Sequence, residues 1–194
     1  MTSVVTRARA IDVNRAVGVI TLAFATDPAC RWLYPDAHEY MKYFPPFVRA
    51  FGGRAFETGT AYVTENYEGA ALWLPPGEHA DDEALGAIIE ESVPEERQDL
   101  LFNLVEMQAL SHTAEPHWYL PLIGVDPAHQ RKGLGSKLLD EALRVCDEQG
   151  LHAYLEATTR ESRALYQRHG FEVTQELQVG DIPPMWPMVR RPRS

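Results

Sequence analysis

Cysteine is scarce: the 194 residues hold two, Cys30 and Cys146. Two thiols so far apart form neither a disulfide framework nor a zinc-ligand set. Cys146, on the apolar side of a helical pattern, reads as a small core residue. Long apolar runs are missing too. None approaches the roughly 20 residues that cross a bilayer, and the first residues carry no signal-peptide core. The expectation is a cytoplasmic chain without a membrane partner. Positive charge is in deficit, with 18 Lys and Arg against 28 Asp and Glu, a formal net charge of −10. That argues against a nucleic-acid partner and favours a cationic one through steering. Internal repeats and low-complexity segments are absent. Apolar residues make up 45% of the chain, enough at this length for one domain, 1–194, around its own core.

What is present centres on residues 117–149. An apolar, β-prone run ends at Asp126-Pro127. A polar turn follows with Gln130, Arg131, Lys132, Gly133 and Gly135. Leu134, Leu138, Leu139, Ala142, Leu143, Val145 and Cys146 then recur at helical spacing, and Gly150 is a helix stop. Such a strand–turn–helix join binds anions. The first helical amides lack internal partners, the macrodipole adds positive charge, and glycine lets a ligand approach the backbone. A phosphate or diphosphate is the natural guest. The dinucleotide fingerprint fails because Leu138 stands where its third glycine belongs, and a Walker loop fails because the chain reads Gly135-Ser136-Lys137.

The rest of the chain reads as alternating elements. A strand over 4–9 precedes a helix capped by Asp12 and running to about 25. Asp27-Pro28 opens a short helical piece with Trp32, Leu33 and Tyr34. A longer aromatic-rich helix over 38–58 is expected to break or kink at Pro45-Pro46. Strands over 61–65 and 70–74 come next. A helix from Asp81 or Asp82 extends to about 92, and the capping-box spelling Ser92-Val-Pro-Glu95 opens another. After the central strand and helix, a strand covers 151–157. Thr158 and Glu161 spell a capping box for a helix over 160–169, and two last strands cover 171–179 and 185–190. This order implies an α/β layered domain around one mixed sheet.

Two motifs carry a family resemblance. Gln130-x-x-Gly133-x-Gly135 resembles the acyl-coenzyme A loop of the GNAT N-acetyltransferases. Leu165-Tyr166-x-x-x-Gly170-Phe171 resembles the pattern that follows the fifth strand of that superfamily, at the same separation. Glu115-Pro-His-Trp-Tyr-Leu120, Leu155-Glu156 and Pro184-Met-Trp186-Pro-Met188 are similar to its puromycin N-acetyltransferase-like group. The resemblance implies the GNAT fold: one mixed, mostly antiparallel sheet of six to seven strands, splayed between the fourth and fifth, with helices on both faces. The cofactor-binding core would span about 115–170 and the acceptor-pocket helices about 10–58.

The resemblance also implies acetyl-CoA as cosubstrate, no metal, and a small-molecule amine as acceptor. Pantetheine would run along Ile123, Gly124 and Val125. The diphosphate would take amides of Arg131, Lys132, Gly133, Leu134, Gly135 and Ser136, with Gln130 at the same mouth. Ser162 stands where many relatives carry a cofactor-contacting Asn. An acceptor amine with a pKa near 10.4 arrives protonated and must lose a proton, and the departing thiolate needs a donor. Tyr166, neutral at pH 7, is that donor. Glu156 and Glu115 are the candidate general bases, with His112, His117 and His152 behind them. Trp32, Tyr34 and Trp73, with Tyr40, Phe44 and Phe47, would line the acceptor pocket. The expected activity is acetylation of a small primary amine by a monomer or homodimer. The alternatives are acetylation of a protein N-terminus or lysine, and a non-catalytic acyl-CoA-binding regulatory domain.

Overall fold

The computed structural model describes residues 4–193. Strands β1 (Val5–Arg7), β2 (Ala61–Thr64), β3 (Gly69–Leu74) and β4 (His117–Val125) pair antiparallel in succession. β5 (His152–Ala157) joins β4 in parallel. β7 (Trp186–Arg190) lies antiparallel to β5, and the two-residue β6 (Glu172–Val173) closes the edge. The result is one seven-stranded mixed sheet in the order β1-β2-β3-β4-β5-β7-β6, as the GNAT resemblance implies. Among the described residues no helix is long and apolar enough to cross a membrane.

Each face of the sheet carries its own core. On one side, α1 (Val13–Ala23) and α3 (Ala37–Phe51) press Ile20, Phe44 and Val48 onto Leu72, Leu74 and Leu122. On the other, α6 (Leu134–Gln149) lays Leu138, Leu139, Ala142, Leu143 and Cys146 against Trp73, Trp118, Leu120 and Leu155. The α6 stripe follows the 3.6-residue period. The helix starts at Gly133 with φ 82° and stops at Gly150 with φ 66°, both left-handed positions that suit glycine. The short α2 (Pro28–Leu33), with α4 (Asp82–Ser92) and α5 (Glu95–Ser111), completes the first layer, and α7 (Arg160–Arg168) the second.

Two irregularities shape the centre. Leu72 pairs with Leu122 but Leu74 with Tyr119, so β4 holds one extra residue there, a bulge. The bulge reverses the alternation: Trp118 and Leu120 face α6, whereas Leu122 faces α1 and α3. Second, β4 and β5 pair only at His117–His152, Trp118–Ala153 and Tyr119–Tyr154 among the described residues, then part.

Several local expectations are corrected. Helix α3 runs unbroken through Pro45 and Pro46. The carbonyls left without donors belong to Met41 and Lys42, both exposed to water, while buried Tyr40, Tyr43, Phe44 and Val48 hold the inner face. Asp12 does not cap α1; its carboxylate accepts from the Arg9 amide and guanidinium and from the Tyr67 hydroxyl. Ser92 does not cap α5, because its hydroxyl donates to the Ile88 carbonyl. The α7 capping box uses Thr159 and Ser162, one residue later than Thr158 and Glu161. The penultimate strand shrinks to β6, beyond which an isolated bridge joins Leu177 to Met185.

Candidate active site

The glycine loop ends at an open helix terminus. Among the described residues no side-chain cap closes α6 at Gly133, the start of a 16-residue helix whose first amides lack internal partners. The loop is shaped by left-handed backbone at Arg131 (φ 61°) and Gly133 (φ 82°). Of the donors expected at this mouth, two turn inward. Gln130 Nε2 donates to the Val125 carbonyl at 3.2 Å, and Lys132 Nζ donates to the Ala128 carbonyl at 3.1 Å. They brace the turn.

Gly135 and Gly124 are constrained by packing as well. A Cβ on Gly135 would stand 3.3 Å from Leu165 Cδ2, and one on Gly124 would stand 2.7 Å from Ala23 Cβ. The first keeps α6 close to α7, and the second seats α1 on β4. Ser136 Oγ lies 3.1 Å from His169 Nε2, and His169 Nδ1 lies 3.2 Å from Asp140 Oδ1. Burial lowers the His169 pKa. Ile123 and Val125, after the bulge, pack toward α6. Together with Gly124 they pair with β3 on one edge, and β5 does not reach the other.

Tyr166 sits on α7, 7% exposed, edge-on to Phe171 at 6.0 Å. Its hydroxyl has no hydrogen-bond partner among the described residues. Burial pushes the phenol up, and the Asp27 carboxylate adds to this, so it is protonated at neutral pH. Asp27 is the residue sequence reasoning missed here. Its Oδ1 caps α2 by accepting the Ala29 and Cys30 amides at 3.0 and 3.1 Å, and its Oδ2 accepts the Thr158 hydroxyl. The Asp-Pro spelling reveals the cap; the tie to Thr158, just past β5, has no local signal. Ser162, at the place of the relatives' Asn, takes part in the cap of its own helix. Its Oγ accepts the Thr159 amide at 3.2 Å within the α7 cap.

The two candidate bases part company. Glu115 is exposed, and its contribution is a main-chain carbonyl that accepts from His117 Nδ1 at 2.8 Å. Glu156 lies on β5, two residues beyond the last pair with β4, with its side chain 6% exposed. Burial pushes its carboxyl up to about 7, opposed by the Tyr119 and Tyr154 phenols beside it. Neither phenol closes a regular hydrogen bond onto Oε1, which is buried without a partner, as is the Tyr154 hydroxyl. His112 Nε2 lies 3.8 Å from that Oε1. Burial and neighbouring His117 and His79 hold His112 down to about 4. The i, i+2 spacing of Tyr154 and Glu156 could have placed them on one strand face. The approach of His112, in the connection after α5, could not have been read.

The predicted acceptor residues are divided. Trp32 is half-buried. Its ring lies 4.0 Å from the Arg97 guanidinium, its carbonyl accepts from Arg97 Nη2, and its Nε1 is buried without a partner. Tyr34 is buried, stacks on Tyr43 at 6.0 Å and has its hydroxyl 3.1 Å from Ser92 Oγ. Trp73 is fully buried on the opposite face, under α6. Strand alternation sends Ala70, Leu72 and Leu74 to the α1–α3 core and Ala71 and Trp73 to the α6 core, so Trp73 does not join the other two. Among the described residues no three His, Cys, Asp or Glu side chains converge as a metal site.

A model of the acetyltransferase (GNAT) family matches residues 37–171. An uncharacterized N-acetyltransferase of Schizosaccharomyces pombe is 24% identical over 217 aligned positions, covering 97% of this chain and 83% of its own. A Corynebacterium glutamicum structure described as histone acetyltransferase HPA2 and related acetyltransferase superposes with a TM-score of 0.69. It is 24% identical, with 100% of this chain and 98% of that one covered. A Drosophila melanogaster polyamine N-acetyltransferase, described as catalysing formation of N-acetylagmatine, gives 0.68 at 14% identity, covering 98% and 100%. At these identities the structures speak to the fold.

Proposed function

Because this chain belongs to the GNAT acetyltransferase family, we propose that it transfers the acetyl group of acetyl-CoA to the primary amine of a small molecule. The observation that carries the amine half is Glu156: a buried carboxylate with an unpartnered oxygen and a pKa raised to about 7, where β4 and β5 part. A base poised there takes a proton from an ammonium at neutral pH far better than an ordinary carboxylate does. The uncapped start of α6 fits a diphosphate. Tyr166, protonated and without a partner, fits the donor that returns a proton to the departing sulfur. As the amine adds to the thioester, one ammonium proton goes to Glu156. As the intermediate collapses, the sulfur takes its proton from Tyr166, and the second nitrogen proton passes to the resulting phenolate and restores the phenol.

A cationic, aromatic-tolerant acceptor follows from the net charge of −10 and the half-buried Trp32 at the seam of two apolar clusters. The Drosophila polyamine enzyme acts within the same fold. The spellings at 115–120 and 184–188 support a place near the puromycin N-acetyltransferase-like group. Cytoplasmic action as a monomer or homodimer belongs to the same reading.

Thiol release from acetyl-CoA, measured with agmatine, spermidine, tryptamine, puromycin and a lysine-bearing peptide, tests it. The expected result is turnover with a small amine, and a fall in kcat of about a hundredfold in Tyr166→Phe. Turnover with the peptide alone would overturn the small-molecule reading. Unchanged kcat in Tyr166→Phe would remove the leaving-group role.

A further inference from the structure

The side chains around Glu156 form an ordered string. His112 Nε2 lies 3.8 Å from Glu156 Oε1, His112 Nδ1 lies 3.0 Å from His117 Nε2, and His117 Nδ1 lies 2.8 Å from the Glu115 carbonyl oxygen. The tautomers follow from the far end. A carbonyl only accepts, so His117 carries its hydrogen on Nδ1 and its lone pair on Nε2. His112 must then donate from Nδ1, which leaves its own Nε2 lone pair turned to Glu156. The 3.8 Å gap is longer than a hydrogen bond, but catalytic contacts of this kind tighten when substrate binds. The His112 ring is gripped by Tyr154, with centroids 4.1 Å apart, and edge-on by Tyr119 at 5.0 Å. His117 is half-exposed and adjoins the exposed Glu115 and Pro116.

We propose that His112 and His117 are positioning residues that carry the amine's proton from Glu156 to solvent. This rests on Glu156 being the base. The ammonium N–H breaks and a Glu156 O–H forms. That O–H passes its proton to His112 Nε2, and His112 Nδ1–H passes its proton to His117 Nε2; solvent water then replaces the exposed Glu115 carbonyl at His117 Nδ1–H and takes that proton. One proton leaves the protein per turnover and Glu156 is again a carboxylate. Both rings, partly open to water, regain their starting tautomers by exchange. The groups facing the string are Tyr119 from β4 and Tyr154 from β5, at Glu156, with His79 from the connection after β3, at His112. None of these is an anion that would trap a charge on His112. The low His112 pKa keeps its lone pair free at working pH.

Two measurements test the proposal. Nitrogen-15 histidine spectra of the wild-type protein at pH 7.5 read the tautomers without any acceptor. Nδ1–H on both rings is expected, and Nε2–H on either would overturn the relay. Kinetics use the fastest amine of the panel above. His112→Gln and His117→Gln keep hydrogen-bonding capacity but cannot pass a proton through the side chain. Each is expected to lower kcat about tenfold with KM for amine and acetyl-CoA unchanged. His117→Ala is expected to regain rate in proportion to added imidazole, which a purely structural loss would not do. If His112→Gln fails to fold, the half-exposed His117 variants decide. Wild-type kcat in His117→Gln, or a loss that imidazole does not rescue in His117→Ala, overturns the relay alone. Full activity in Glu156→Gln overturns the base and the relay together.

Discussion

Glu156→Gln separates stability from activity. The Glu156 side chain is 6% exposed and its carboxyl is raised from 4.5 to about 7. Between these values the folded protein holds a proton that the unfolded chain has released. Stability therefore falls as pH rises through this window. At about 1.36 kcal/mol per pH unit, the difference between 4.5 and about 7 is about 3 kcal/mol. Glutamine keeps the shape and cannot ionise. Its own burial cost is independent of pH, and it cancels when two pH values are compared. Thermal unfolding of both proteins at pH 5 and pH 8.5 should show the Glu156→Gln midpoint moving up relative to wild type. About 2.5 kcal/mol of the Glu156 contribution is lost between the two pH values, so the shift should be about 5–10 °C for a domain of this size. The same substitution should cut kcat about a hundredfold or more, while wild-type kcat/KM rises with pH through about 7. A midpoint difference that stays constant between the two pH values would refute the claim that the fold holds this carboxyl out of its ordinary range.

Gly135→Asp should weaken coenzyme A binding by more than about a hundredfold in calorimetry, since two like charges about 4 Å apart repel by about 4 kcal/mol near a protein surface; retained affinity would remove the diphosphate from the start of α6. Gly124→Ala should destabilise by about 1–3 kcal/mol in urea, because its Cβ would stand 2.7 Å from Ala23 Cβ and 3.3 Å from Ile20 Cα. Asp147→Ala should cost about 3–5 kcal/mol. It strands Arg190, 3% exposed, whose guanidinium donates to both Asp147 oxygens at 2.7 and 2.8 Å. Adding Arg190→Met should restore most of that loss. Arg190 also lowers the Asp147 pKa, so wild type should lose this contribution as pH falls into the acid range and the Ala variant should not.

What the sequence makes legible is what short-range chemistry decides. The α6 boundaries follow from Gly133, Gly150 and a stripe of six buried residues, and the α2 cap from Asp27 ahead of Pro28. Where the reading departs from the structure, the deciding term is tertiary. Pro45 and Pro46 carry the usual helix-breaking penalty. The residues whose carbonyls lose a donor, Met41 and Lys42, are exposed while five buried side chains hold the helix, so burial prevails. Thr158 and Glu161 have capping-box spacing, but the Thr158 hydroxyl is taken by Asp27, 131 positions earlier, and Thr159 caps instead. Tyr166 and Glu156 are marked by motifs around them. The histidine beside Glu156 is not, because its approach depends on where α5 ends against the sheet. Trp73 shows the limit of composition: an aromatic residue beside two prolines says nothing about which face of the strand it occupies.

Asp27 joins parts of the molecule that sequence keeps far apart. One carboxylate starts the helix leading to Trp32, clasps the turn after β5 and stands near the Tyr166 phenol. Directed evolution toward new acceptors would naturally randomise the start of α2, and every change at Asp27 would then also disturb the surroundings of the Tyr166 phenol, the proposed donor to sulfur. New acceptor preferences on this scaffold should accordingly accumulate around that residue and leave it in place.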